Sequence, residues 1–100
     1  MKRSPKLPAV SQAVLNAVQG GNYVVTHHAR QRMLERGVIW PEILQVLTLG
    51  HHEKAKDDYV ERFSAWNYAI RGKTLDGREL RVAVGFEGAM LIITVVDLGA

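Results

Sequence analysis

Apolar residues recur at spacings of three and four through the first half of the chain, and at a spacing of two through much of the second. A helix turns about 100° per residue, whereas a strand turns its side chains over at each step. The change of period therefore predicts helices first and strands afterwards. Val10, Val14, Ala17 and Val18 form one stripe of a first helix. It starts near Pro8, whose missing N–H does no harm in a first turn, and stops at Gly20-Gly21. Tyr23, Val24 and Val25 make a short strand-like run. Thr26 can N-cap a second helix with Ala29 and Met33 facing inward, closed by Gly37, with Val38 packing back on Met33. A third helix begins at Pro41, buries Ile43, Leu44, Val46 and Leu47, and ends at Gly50. Ile39 and Leu44 are assigned the two positions of its hydrophobic staple.

Residues 51–64 are polar and carry both signs of charge, with Asp57-Asp58 in a loop. Beyond them Trp66, Tyr68 and Ile70 alternate with Asn67, Ala69 and Arg71. Leu80, Val82, Val84 and Phe86 alternate with Arg81, Ala83 and Gly85. A two-residue Asp76-Gly77 turn would set Arg71 against Val82 and Lys73 against Leu80, mixing charge with core on each face. A three-residue loop with Gly77 left-handed instead pairs Trp66 with Phe86, Tyr68 with Val84 and Ile70 with Val82. Arg71 then meets Arg81, and Lys73 meets Glu79, on the other face. The second register is chosen, because a one-residue slip would turn every side chain over. After Glu87-Gly88, the run from Ala89 to Val96 is apolar on both sides, as a central strand requires. The expectation is an α+β domain, N-terminal helices packed on an antiparallel meander.

Length limits this to a single domain over residues 1–100. With 47% apolar and 23% charged residues, the chain has enough to bury and too little charge for disorder. The absence of cysteine excludes a disulfide scaffold, thiolate zinc and a cysteine nucleophile, and fits a reducing cytoplasm. No apolar run approaches the roughly 18 residues of a membrane span. Lys2, Arg3 and Lys6 have no apolar stretch behind them, so residues 1–7 read as a flexible basic arm and not as a signal peptide. The net charge of +3 tilts the partner mildly toward nucleic acid or another anion.

The placement of the charges is more telling than their sum. His28, Arg32 and Arg36 stand at i, i+4 and i+8, a row that could clamp phosphates with His28 as acid or base near a helix N-terminus. The same row could be a solvated face paired with Glu35, Asp57 or Asp58. Arg71 opposite Arg81 is repulsive unless an anion lies between them. That anion could be a phosphodiester whose cleavage transition state the arginines stabilise, with Lys73 at the edge. It could equally be Glu79, Glu61 or an acidic partner, or the two side chains could simply splay into water. Lys54 and Lys56 could line a basic rim or stand in a solvated loop. Trp66 and Tyr68 could stack on bases, but the register assigns them to the core. The pairs His27-His28 and His51-His52 lack metal-ligand spacing, so no metal or cofactor is expected. His51, just past a helix end, complements that helix's dipole.

Thr26-His27-His28-Ala29, Arg32-Met33 and Arg36-Gly37-Val38 resemble the opening of a small bacterial family of uncharacterised domains with an HA…RM…RG signature. Gly50-His51-His52-Glu53, the run from Trp66 to Gly72, and Ile92-Ile93-Thr94-Val95 extend the resemblance over residues 22–97. That family is similar to the RelE/MqsR class of toxin-antitoxin ribonucleases. The resemblance implies a cytoplasmic, metal-independent endoribonuclease that cuts messenger RNA and is held by a cognate antitoxin protein. In such chemistry the RNA 2′-hydroxyl attacks the adjacent phosphate. The resemblance marks His28, Arg32 and Arg36 as signature positions. A non-catalytic basic module binding nucleic acid or an acidic protein segment is the alternative.

Overall fold

The register of the central hairpin is the one that keeps core and charge apart. In the computed structural model, which describes residues 3–99, β4 (Ala65–Lys73) and β5 (Glu79–Glu87) pair antiparallel. Tyr68 stands opposite Val84, Ile70 opposite Val82, Arg71 opposite Arg81 and Lys73 opposite Glu79. Thr74 N–H donates to Arg78 O at 2.9 Å, leaving Leu75, Asp76 and Gly77 as the three-residue loop. Gly77 has φ +84°, where a side chain would be strained. A slip of one residue would expose Ile70, Val82 and Val84, each at most 2% accessible.

The ladder ends at Tyr68–Val84, and the expected Trp66–Phe86 pair is not part of it. The polar stretch before β4 lies along the other edge of that strand. It contains β2 (His51–His52), β3 (Asp58–Val60) and one-turn 3₁₀ helices at Lys54–Lys56 and Glu61–Phe63. β3 takes the first residues of β4, setting Tyr59 against Trp66 with ring centroids 5.2 Å apart.

β6 (Ala89–Gly99) is central, between β5 and β1 (Tyr23–Val25), in the order β1-β6-β5-β4-β2. β1 runs parallel to β6, so the sheet is mixed and not purely antiparallel. A long excursion through two helices and four strands separates β1 from β6, and such a crossover can return the chain in the same direction. A bulge between Ala83–Thr94 and Val84–Ile92 leaves Ile93 as an extra residue in β6. Ile92 and Val95 thereby both reach the core, although they are three residues apart.

The helices are α1 (Val10–Gly20), α2 (His27–Arg36) and α3 (Trp40–Leu49). Pro8 lies before α1, whose N-cap is Ala9. Thr26 caps α2, accepting from Ala29 N–H at 3.1 Å while its own hydroxyl donates to Ile92 O at 2.8 Å. Val38 N–H closes the far end on Met33 O at 2.9 Å, as expected. α3 starts one residue earlier than expected, because Glu42 accepts from Ile39 N–H and makes Ile39 the N-cap. The staple positions therefore shift to Val38 and Ile43, both buried, and Ile39 is exposed. All three helices share one core with Ile70, Leu80, Val82, Val84, Ile92 and Val95. The alternate residues of β4 and β5, including Asn67, Arg71, Arg81 and Ala83, form the opposite face. No helix among the described residues is long and apolar enough to cross a membrane.

The basic N-terminal segment is strapped down where a flexible arm was expected. Ser4 O accepts from Trp66 Nε1 at 2.7 Å, and Leu7 N–H donates to Tyr68 Oη at 2.9 Å. Lys6 Nζ lies 4.6 Å from the Trp66 ring centroid and 3.0 Å from Asp57 Oδ2. Trp66 and Tyr68 supply partners that the sequence pattern of residues 1–7 cannot reveal. Lys2 lies outside the described residues.

Candidate nucleic-acid interface

Arg71 and Arg81 face each other, and the anion between them is the chain's own Glu53. Glu53 Oε2 accepts from Arg71 Nη1 at 3.0 Å, and Oε1 accepts from Arg81 Nε at 2.6 Å. The hydrogen bond from Arg81, reinforced by Arg71, overrides the cost of burial and lowers the Glu53 carboxyl to about 2. Glu79 takes the other side of Arg71, accepting from Nε at 2.8 Å and Nη2 at 2.5 Å. Of the two acids considered for this role from the sequence, Glu79 pairs with Arg71 alone and Glu61 with neither arginine, and Glu53 is the one that bridges them. All three Arg71 nitrogens are thus engaged. Arg81 is different, for only its Nε is bonded to a protein acceptor among the described residues.

Arg81 lines a hollow of about 190 Å³ that also touches Lys56, Asp58, Asn67, Ala83 and Thr94. A neighbouring hollow of about 220 Å³ is lined by Val60, Phe63, Asn67, Gly85, Leu91 and Ile93. Asn67 and Ile93 belong to both. Each is smaller than the roughly 300 Å³ or more of an enclosing small-molecule pocket, so the pair suits an extended ligand laid on the sheet.

His28, Arg32 and Arg36 are not part of this surface. α2 packs on β6 through Ala29 and Met33, which join the core on the helix side. His28 is exposed, and Arg32 is paired with Glu35 at 2.5 Å, one of the partners considered from the sequence. Neither His28 nor Arg32 nor Arg36 shares a hydrogen bond or ion pair with Arg71 or Arg81 among the described residues. Lys54 and Lys56 are exposed on their 3₁₀ turn, and of the two Lys56 lines the Arg81 hollow. Lys73 is exposed at the end of β4. No cluster of His, Cys, Asp and Glu suited to a metal ion occurs among the described residues.

Two further charged hubs escaped the sequence reading. Asp57, expected to serve a turn, has a side chain that is 0% exposed. β2 and β3 leave a gap on the edge of β4, and Asp57 Oδ1 fills it by accepting from Ala69 N–H at 2.9 Å. His52 Nε2 at 2.8 Å and Lys6 complete its shell. Burial pushes the Asp57 carboxyl up, but Ala69, Lys6 and His52 together hold it below its usual value. Arg78 spans Arg36 O at 3.2 Å, Gly37 O at 3.3 Å and Glu42 Oε2 at 2.8 Å, tying the hairpin to the corner between α2 and α3. Glu53 carried no sequence signal for this role: the segment after His52 lies antiparallel on β4, where Glu53 N–H donates to Ala69 O at 2.8 Å.

No curated protein matches the chain significantly, and neither does any solved structure. A family model described as a domain of unknown function, DUF4258, matches residues 25–97. This span lies within the 22–97 of the resemblance, runs from the last residue of β1 to Asp97 in β6, and includes both hollows with Arg81 and Asn67, and also Glu53. The chain belongs to that family, the domain of unknown function DUF4258.

Proposed function

We propose that this chain is an RNA-binding domain of the toxin-antitoxin type, a metal-independent endoribonuclease whose messenger RNA lies across the sheet face opposite the helices. The carrying observation is Arg81. Glu53 holds its guanidinium through Nε, its terminal nitrogens make no hydrogen bond among the described residues, and the residue lines a hollow together with Lys56. A guanidinium fixed in this way presents two parallel donors to a phosphate with little entropy left to lose. In cleavage by the 2′-hydroxyl, the same donors would stabilise the charge gathering on the phosphate oxygens. Arg71 acts through Glu53 as a positioning residue. Helices followed by a largely antiparallel sheet with basic side chains on its open face support the likeness to the RelE/MqsR class. A cytoplasmic setting and a cognate antitoxin belong to the same reading.

The second reading is a non-catalytic module that binds RNA or an acidic protein segment, and the placement of His28 away from Arg81 favours it. Purified protein incubated with messenger RNA in excess chelator separates the two. Cleavage that disappears in Arg81→Ala, with folding intact by circular dichroism, supports the nuclease. Salt-sensitive binding without cleavage supports the module. Undiminished RNA binding by Arg81→Ala refutes the assignment of this face.

A further inference from the structure

The apolar hollow has no role in holding phosphate, yet it adjoins the Arg81 hollow and shares Asn67 and Ile93 with it. Its floor is open because β5 carries glycine there. A Cβ on Gly85 would stand 3.1 Å from Asn67 Oδ1 and 3.7 Å from Ile93 Cδ1. On its rim Phe63 is 67% exposed, with its ring accessible for stacking, and the Arg62 guanidinium lies 5.2 Å from the ring centroid. The Asn67 carboxamide makes no hydrogen bond among the described residues, although it is half-buried between the two hollows. An open apolar slot, an exposed ring and an unpaired amide next to a fixed guanidinium match the parts of one nucleotide: base plane, base edge and phosphate.

We propose that this hollow is a base-binding subsite. It takes one unstacked adenine of single-stranded RNA, stacked on Phe63 and read by Asn67, while Arg81 and Lys56 hold the neighbouring phosphate. Adenine is assigned because a primary amide presents a donor and an acceptor side by side, the complement of its N6–N7 edge. The inference rests on the RNA-binding reading above and adds to it a residue that sets specificity.

The test uses the full chain at low salt with fluorescent ten-unit oligomers of adenylate, of uridylate, and of abasic ribose phosphate. The unmodified protein is expected to bind the adenylate oligomer at least roughly fivefold more tightly than the abasic one, the lower bound for stacking one base. Phe63→Ala and Asn67→Ala should each remove most of that margin, and Phe63→Ala, which lies outside the Arg81 hollow, should leave abasic binding and its salt dependence unchanged. Because Phe63 is largely exposed, its replacement tests the subsite without a folding defect. Equal binding of adenylate and abasic oligomers overturns the base subsite and leaves the phosphate-binding reading standing. Uridylate bound as tightly as adenylate overturns the assignment to adenine. Failure to bind any of the three overturns the RNA reading itself.

Discussion

Replacing Glu53 by glutamine tests the charge bridge at the centre of the open face. The substitution keeps the shape of the side chain but removes the charge that separates Arg71 from Arg81. The Glu53 carboxyl is held at about 2, against 4.5 when unperturbed. At roughly 1.4 kcal/mol per tenfold change in acidity, this bounds its contribution at about 3 kcal/mol. Glu53 and both arginines are partly open to solvent, and screening reduces the expected loss to about 1 kcal/mol at neutral pH. The sign follows from linkage. A carboxyl whose pKa is lowered by folding stabilises the native state above pH 4.5 and ceases to do so as the pH falls through about 2. Urea unfolding of both proteins, followed by tryptophan fluorescence from neutral pH down to about 2, measures the difference directly. Asp57 and Glu79 also have lowered carboxyls, so both proteins weaken in acid, and only the gap between them reports on Glu53. A gap that is absent at neutral pH, or that persists unchanged in strong acid, would refute the bridge.

Asp57→Asn should cost about 1–3 kcal/mol, because the amide cannot accept from Ala69, His52 and Lys6 together. The Asp57 contribution is present above pH 3.8 and fades as the pH falls further, and hydrogen exchange should show the Leu7 and Ala69 amides losing protection in the variant. Gly50→Ala should destabilise by about 3 kcal/mol or more in the same urea assay. Its Cβ would collide with the carbonyl oxygens of Val46 and Arg71, where the end of α3 crosses β4, and backbone atoms there cannot move aside.

Parts of the candidate site were legible because they follow from local geometry. Alternation along β4 and β5, with Gly77 able to take a left-handed turn, left one register that kept Ile70 and Val82 inside, and that register set Arg71 against Arg81. The repulsion between them made an anion one way to relieve it, and an anion does lie between them. Glu53 as its source was not legible. It arrives from 18 residues upstream of Arg71 and 28 upstream of Arg81, through a two-residue strand too short to show a period. The row His28, Arg32 and Arg36 shows the converse. Helical spacing correctly placed the residues near one another along α2, but it carried no information about which part of the sheet α2 would pack against.

By itself, then, the sequence determined what depends on neighbours within a few residues. This covers the three helices with the Thr26 and Gly37 caps, the hairpin register and the central place of β6. Steric and hydrogen-bonding rules act over one turn or one rung, so these features are present in the local pattern. Only the tertiary structure decided the rest: β1 parallel to β6, the N-terminal strap over Trp66, the burial of Asp57 and the neutralisation of Arg71. Each depends on which distant segment satisfies an exposed edge, ring or charge, and several acids and several edges were equally able to do so. The physical reason is that Coulombic attraction and the hydrophobic effect specify the kind of partner but not its position in the chain. On the open face this left all three Arg71 nitrogens engaged and Arg81 bonded through Nε alone among the described residues, and the candidate function rests on that difference.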